Sequence, residues 1–209
     1  QYIVNYSLHQ NPGDTTTLKR HIESFKALYK QYPQVVVADA GYGSEENYQR
    51  LSNRKIEAYI KHNQFDRSQR SKNFDAFRSD NLVYDEQREL VICPSGKPMK
   101  PVGESYRSTA NGFKQKLTKY QATKCHGCPL REQCHQQKGN RIVGINHRLR
   151  KLKQQADERL KSERGVAYRK RRPADVETVF ANIKHNKSFK RFMLRGLDKV
   201  EIETGLLAM

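Results

Sequence analysis

The sequence predicts an α/β fold interrupted by a small cysteine-rich module, and three features carry that expectation. A continuous apolar run, Val35-Val36-Val37-Ala38, lies between two stretches with helical spacing, the pattern of a sheet strand covered by helices. All four cysteines fall between positions 93 and 134. From Leu149 onward, apolar residues recur three and four apart among many basic ones, as on amphipathic helices.

Taken in order, Tyr2 to Leu8 has the β-branched and aromatic character of a strand, closed by the turn residues Asn11-Pro12-Gly13-Asp14. A helix is expected from the cap cluster Asp14-Thr15-Thr16-Thr17 through Leu18, Ile22, Phe25 and Leu28, ending at Pro33. Val35 to Ala38 follows as a strand buried on both faces, with Asp39 at its C-terminal end. Gly41 and Gly43 allow a tight turn, Ser44 opens a helix through Tyr48 and Leu51, and Ile56 to Ile60 is a second short strand. Lys61 to Asp80 is polar, a linker whose large apolar groups are Phe65, Phe74 and Phe77. Leu82-Val83-Tyr84 and Leu90-Val91-Ile92 flank a polar turn and predict a hairpin. Leu149, Leu152, Ala156 and Leu160 mark a helix that Gly165 ends, with a basic opposite face. Val176, Val179, Phe180 and Ile183 mark the buried stripe of another helix, with Pro173 before or in its first turn. A last apolar segment runs from Phe189 to Met209. The domain division expected from these shifts is 1–62, carrying Asp39, then an insertion at 63–140, then a basic helical part at 141–209.

The chain has 209 residues, with 40 Lys and Arg against 22 Asp and Glu, a net charge of +18. A hydrophobic fraction of 35% supports a modest core and sets the chain apart from disordered tails. No run of about 18 apolar residues and no leader pattern occurs, which predicts a cytoplasmic protein without a membrane span. An isoelectric point near 9.9 points to a polyanionic partner, since clustered cations release counterions from a phosphate backbone. Between Arg141 and Arg172 there are 12 basic residues against 3 acidic, and between Lys184 and Lys199 there are 6 against 1.

The cysteines stand as Cys93-Pro94-Ser95-Gly96, Cys125-x2-Cys128-Pro129 and Cys134. A C-x2-C turn places two thiolates about one metal, so Cys93, Cys125, Cys128 and Cys134 are expected to hold a structural Zn²⁺, with His126 and His135 as alternative donors. Two disulfides and four unrelated buried thiols are the competing expectations. A bound metal would stabilise an insertion too small to form its own core.

Asp39, at the C-terminal end of a buried strand, stands where open α/β sheets place ligands and metals, though a turn or cap role fits the same position. Glu177 and Lys184 are seven apart, which on a continuous α-helix puts a carboxylate and an amine on one face; a solvated face fits the spacing as well.

Val36-Val37-Ala38-Asp39-Ala40-Gly41-Tyr42-Gly43-Ser44, the cysteines from Cys125 to Cys134, the run from Val176 to Asn186 and the stretch from Phe189 to Glu201 together resemble the DDE transposases of bacterial insertion sequences, in the branch with a cysteine-bearing insertion. The resemblance implies a ribonuclease H-like fold, a mixed sheet flanked by helices, whose carboxylates hold two Mg²⁺ for cutting and joining DNA. Asp39 matches the second acid and Glu177 the third. Tyr168, Arg171, Arg172 and Lys184 lie near the family's Y-R-E-K signature, whose basic residues hold transposon-end DNA; the signature places an arginine where this chain has Pro173. The first acid has no counterpart, since Asp14, the sole acid before Glu23, sits in a turn and cap setting. The chain is therefore expected to be the C-terminal portion of a transposase with an incomplete sheet, a DNA partner, a nucleoid-associated location and a homodimer as its candidate assembly. A non-catalytic zinc-containing nucleic-acid-binding remnant is the alternative.

Overall fold

The computed structural model describes residues 2–11, 13–70 and 74–209. Pro12 of the expected turn and Ser71 to Asn73 of the expected linker lie outside the described residues. In chain order the elements are α1 (Leu18–Tyr29), β1 (Val35–Ala38), α2 (Glu45–Asn53), β2 (Glu57–Ile60), α3 (Phe65–Ser68), β3 (Val83–Asp85), β4 (Leu90–Ile92), β5 (Pro98–Ser108), β6 (Lys114–Ala122), α4 (Arg131–Cys134), β7 (Ile142–Ile145), α5 (His147–Lys161), α6 (Glu163–Ala181) and α7 (Leu197–Ala208). They form two compact units, Gln1–Asn63 with Gln155–Met209, and Gln64–Gln154. No described helix is long and apolar enough to cross a membrane.

The first unit is built on β1 and β2, paired in parallel from Val35↔Glu57 to Ala38↔Ile60 and joined by α2. Ser44 caps α2, its hydroxyl accepting the Asn47 N–H at 3.2 Å. Leu18 and Ile22 of α1, Tyr48 and Leu51 of α2, Ala58 to Ile60 of β2, and Ala156 and Leu160 of α5 are buried. The apolar spacing does what the sequence predicts in α2 and at Leu18 and Ile22 of α1, whereas Phe25 is half-buried and Leu28, at the end of the expected stripe, is 60% exposed. α1 stops at Lys30, whose left-handed φ of 61° breaks the helix before Pro33 is reached.

Several expectations are corrected. Tyr2 to Leu8 forms no strand; side chains hold it, with Tyr29 donating its hydroxyl hydrogen to the Val4 carbonyl at 2.7 Å and Ser24 hydrogen-bonding Asn5 at 3.3 Å. β1 is half-buried along its whole length instead of fully buried. Gly43 is needed for closeness, because a Cβ there would lie 2.3 Å from the Lys61 carbonyl oxygen and 2.9 Å from His62 Cα. Gly165 does not end a helix. α5 stops at Lys161, Ser162 caps α6 by accepting the Gly165 N–H at 3.1 Å, and Gly165 lies in the first turn of α6. Pro173 consequently sits inside α6, where its missing N–H leaves one carbonyl of the helix without its usual partner. The stripe at Val176, Val179, Phe180 and Ile183 is not buried: Phe180 is 56% exposed and the other three are half-buried. In the closing apolar segment, Leu197, Ile202 and Leu206 of α7 are exposed.

The second unit is a five-stranded antiparallel sheet of order β3-β4-β5-β6-β7. β3 and β4 form the expected hairpin, whereas β5, β6 and β7 are additional to the elements expected from the sequence. One face carries the core of Leu82, Val91, Met99, Tyr120, Val143 and Ile145, against which Tyr84, Cys93 and Cys125 pack. His147, at the start of α5, shares a hydrogen bond with the Tyr120 hydroxyl at 2.9 Å and stacks on Tyr84 at 4.4 Å between ring centres.

Two predictions follow from packing and from burial. Gly43→Ala and Gly165→Ala each meet backbone atoms at 2.3 Å or less, and each lowers unfolding free energy by about 2–3 kcal/mol in urea titrations. Gly139→Ala, with nothing within 4 Å, serves as the control and leaves stability unchanged. Burial, then the Arg150 guanidinium, holds the His147 pKa below its ordinary 6.5, with Glu89 opposing. As pH falls through 6.5 the unfolded chain takes up a proton that the folded imidazole refuses. Stability therefore drops with falling pH until the folded ring protonates, and His147→Gln removes that share of the slope.

Candidate functional site

Asp39 is the first residue after β1, and its carbonyl accepts the Tyr42 N–H at 3.1 Å, closing the helical turn Ala40–Tyr42. Its carboxylate projects at the C-terminal edge of the β1–β2 pair and is 58% exposed. Arg172 of α6 reaches it, Nη2 to Oδ2, at 3.3 Å. The same helix is held on β2 by Tyr168, whose ring packs on Tyr59 at 4.8 Å, and by Arg164, which pairs with Glu57 at 2.9 Å. Arg164 also donates to the Tyr168 hydroxyl at 3.3 Å and lies over its ring. That hydrogen bond, then the Glu57 and Tyr168 charges, raises the pKa of Arg164. Burial raises the pKa of the Tyr59 phenol.

The remaining expected site residues are dispersed along the chain. Arg171 pairs with Asp175 one turn on, at 2.8 Å, on an exposed face. Glu177 is exposed; at about 100° per residue it stands about 140° round α6 from the line that carries Arg172 to Asp39. Lys184, also exposed, lies in the wider helical turn Asn182–Asn186, where the Lys187 N–H bonds the Asn182 carbonyl at 3.0 Å. That wider turn resets the phase, so the seven-residue spacing of Glu177 and Lys184 does not carry plain α-helical periodicity. Among the described residues, no group of three or more His, Cys, Asp or Glu side chains stands ready to hold a metal ion.

Two neighbours of the Asp39 edge were not singled out as a site from the sequence. Asp14 packs beside the turn after Asp39: a Cβ on Gly41 would lie 3.5 Å from its Oδ2, and the Thr15 hydroxyl donates to the Gly41 carbonyl at 2.7 Å. His62 follows β2 by two residues, is 5% exposed, and places Nε2 2.7 Å from Asp157 Oδ1 of α5. Parallel pairing puts both strand ends at one edge. Nothing in the local sequence marks His62, because its partner is 95 residues away.

The four cysteines line one cavity of about 20 Å³ together with His135 and Arg141. Gly96 and Gly127, at φ 78° and 67°, make the two turns that the Cys93 and Cys125-x2-Cys128 segments need. Arg141 serves two sulfurs, its N–H donating to Cys125 at 3.4 Å and its Nη1 to Cys134 at 3.1 Å. Cys93 Sγ shares a hydrogen bond with Ser95 Oγ at 3.2 Å. Burial pushes the Cys93 thiol up, but the Ser95 hydroxyl and the backbone N–H groups outweigh it, and its pKa is lowered. All four thiols are free of disulfides. Both ring nitrogens of His135 are buried without a hydrogen-bond partner. Burial first, then Arg131 and Arg141, lowers its pKa and favours the neutral ring.

The fold and site are those of an α/β protein that brings a cationic helix to a carboxylate at a sheet edge. A family profile for the transposase DDE domain matches residues 92–209, more than half of the chain. The chain belongs to the transposase DDE-domain family. The matched span holds the four cysteines, Tyr168, Arg171, Arg172, Glu177 and Lys184; Asp39 precedes it. No curated protein and no solved structure matches the chain.

The contacts of α6 differ in worth. Tyr168→Ala removes an aromatic pair and costs about 1–2 kcal/mol of stability. Arg172→Ala removes a part-exposed ion pair and costs under about 1 kcal/mol. Chemical denaturation of the two variants checks that order, and a larger loss in Arg172→Ala would contradict it.

Proposed function

We propose that this chain acts in the cleavage and joining of DNA at the ends of a bacterial insertion sequence, with Asp39 and Glu177 as its metal-holding carboxylates. Family membership makes DNA the partner, and the Asp39–Arg172 contact is the observation that carries the reading to the residues. Part-exposed and exposed carboxylate oxygens suit Mg²⁺, a hard cation that takes oxygen donors. When bound, two such ions lower the pKa of an attacking hydroxyl and stabilise the leaving 3′ oxygen of an in-line displacement.

The residues of the chain then have separable tasks. Asp39 already pairs with the Arg172 guanidinium; were a metal held by Asp39, Arg172 would be free to meet a phosphate. Arg171 and Lys184 add charge toward the DNA backbone, while Tyr168 holds α6 in position. Bringing Glu177 toward Asp39 requires α6 to turn beyond Pro173, the one point where the helix lacks a backbone N–H. In this reading 1–62 and 141–209 are parts of a ribonuclease H-like core and 63–140 is an insertion. DNA binding would place the protein at the nucleoid, as a homodimer joining two ends.

The insertion is proposed to hold one structural Zn²⁺ through Cys93, Cys125, Cys128 and Cys134. A cavity of about 20 Å³ matches a single small occupant. Hydrogen bonds from Arg141 and Ser95 suit thiolates better than thiols. His135, whose buried ring nitrogens have no hydrogen-bond partner, lines the same cavity and would be the alternative donor should one cysteine not bind.

Two experiments test these readings. Incubated with Mg²⁺ and DNA carrying the repeats that bracket its gene, the protein nicks at the element boundary, and both Asp39→Ala and Glu177→Ala abolish the cut. Nicking that survives both substitutions overturns the assignment, and salt-sensitive binding without nicking supports a non-catalytic DNA-binding role. For zinc, metal analysis gives about one ion per chain, lost in Cys128→Ser. Purified protein free of zinc, with Cys128→Ser folding normally, would exclude the site.

A further inference from the structure

The β5–β6 hairpin is longer than the sheet that carries it. β4 pairs with β5 only at Pro98 and Met99, and β7 pairs with β6 from Thr118 to Gln121. The register of β5 with β6 continues to Ser108↔Lys114. Ser105 to Ser108, with Lys114 to Leu117 opposite, therefore form a two-stranded ribbon about 14 Å long beyond the five-stranded body, with Glu104 and Thr118 at its base. A register shift between Pro101 and Gly103 marks where the ribbon leaves the body, a device that bends and re-aims a strand pair. Its tip is tied: the Thr109 N–H donates to the Phe113 carbonyl and the Gly112 N–H to the Thr109 carbonyl, both at 2.9 Å, and Gly112 takes the left-handed φ of 77° that the turn needs.

Side-chain alternation then changes meaning along the strand. On β6 the face that buries Tyr120 and Ala122 in the core continues outward as Thr118, Lys116 and Lys114, the last two exposed. Opposite them stand Glu104, Tyr106 and Ser108, with Tyr106 68% exposed. Arg107 is exposed on the other face. Between Gly103 and Leu117 there are three basic residues and one acid, and that acid, Glu104, pairs with Lys116 at 2.6 Å.

We propose that this ribbon is a second DNA-binding surface that enters a groove of duplex DNA. The major groove, about 12 Å wide, admits a two-stranded β-ribbon. Lys114, Lys116 and Arg107 meet phosphates along its two walls, and Tyr106 presents a ring with a hydrogen-bonding tip to sugar and base edges. Lysines on an exposed strand also guard against edge-to-edge pairing, but that task does not call for an exposed tyrosine among them. The proposal rests on DNA being the partner, as argued above, and is separate from the Asp39 edge.

Fluorescence anisotropy with the full chain and labelled duplex, repeated across a salt series, tests it. The triple variant Arg107→Ala, Lys114→Ala, Lys116→Ala is expected to bind at least about tenfold more weakly at 0.1 M salt, with the slope of log affinity against log salt reduced by about 3. Glu104→Gln, which removes the sole acid, is expected to bind more tightly, a gain that a merely solubilising role does not produce. Unchanged slopes in the triple variant and unchanged affinity in Glu104→Gln overturn the ribbon, provided Arg171→Ala with Lys184→Ala still weakens binding. If the unmodified chain binds no duplex at all, DNA as partner fails first. Loss confined to RNA or single strands also overturns the assignment to a duplex groove.

Discussion

The arrangement of the first unit depends on one close approach, at the corner between α5 and α6. A Cβ on Gly165 would stand 2.0 Å from the Arg159 carbonyl oxygen and 2.8 Å from Leu160 Cα, so no other residue lets the chain turn so tightly here. Ser162 accepts the Gly165 N–H and donates to the Arg159 carbonyl at 2.6 Å, while Arg169 Nε caps the Leu160 carbonyl at 3.1 Å. Leu160 is fully buried beside it. The corner sends α6 back along β1 and β2, and the residues that meet the sheet are Arg164, Tyr168 and Arg172, spaced four apart on one side of the helix.

That line explains what the sequence could and could not convey. Apolar periodicity located α1, α2 and the Leu149-to-Leu160 part of α5 because each buries hydrocarbon. α6 touches its sheet through a guanidinium, a phenol and a second guanidinium, and apolar spacing cannot see such a face. The conspicuous apolar residues, Val176, Val179, Phe180 and Ile183, lie past the contact, none of them fully buried. For the same reason Pro173 read as a beginning when it is an interior residue. Asp39 was legible because a buried-type run of valines ended on it; His62 was not, its partner Asp157 lying far along the chain.

The second unit shows the same limit in a sheet. β3 and β4 alternate over a core and were legible as a hairpin. β5 begins on Pro98 and carries Pro101 and Gly103, all poor strand formers, and its outer half buries nothing. It is held as a strand by its pairing with β6 on both sides of the shift at Pro101/Gly103, a property of the pair that neither segment displays alone. The cysteines were legible as a cluster in composition, and all of them reach one cavity. Arg141 as the shared donor to two of them was hidden, since one more arginine among 40 basic residues carries no signal.

Charge at the sheet edge is where fold and chemistry meet. Arg172 is about a quarter exposed and Asp39 more than half, so their ion pair contributes no more than about 1 kcal/mol. A weak pair is compatible with the exchange of partners proposed above, in which a divalent ion would attract Asp39 more strongly than one guanidinium can and Arg172 would be left to a phosphate. Such an exchange would leave α6 anchored, because Tyr168 on Tyr59 and Arg164 on Glu57 do not take part in it. A helix held by two contacts and tuned by a third would, under the proposed function, keep its place on the sheet while the Arg172 end changed partners.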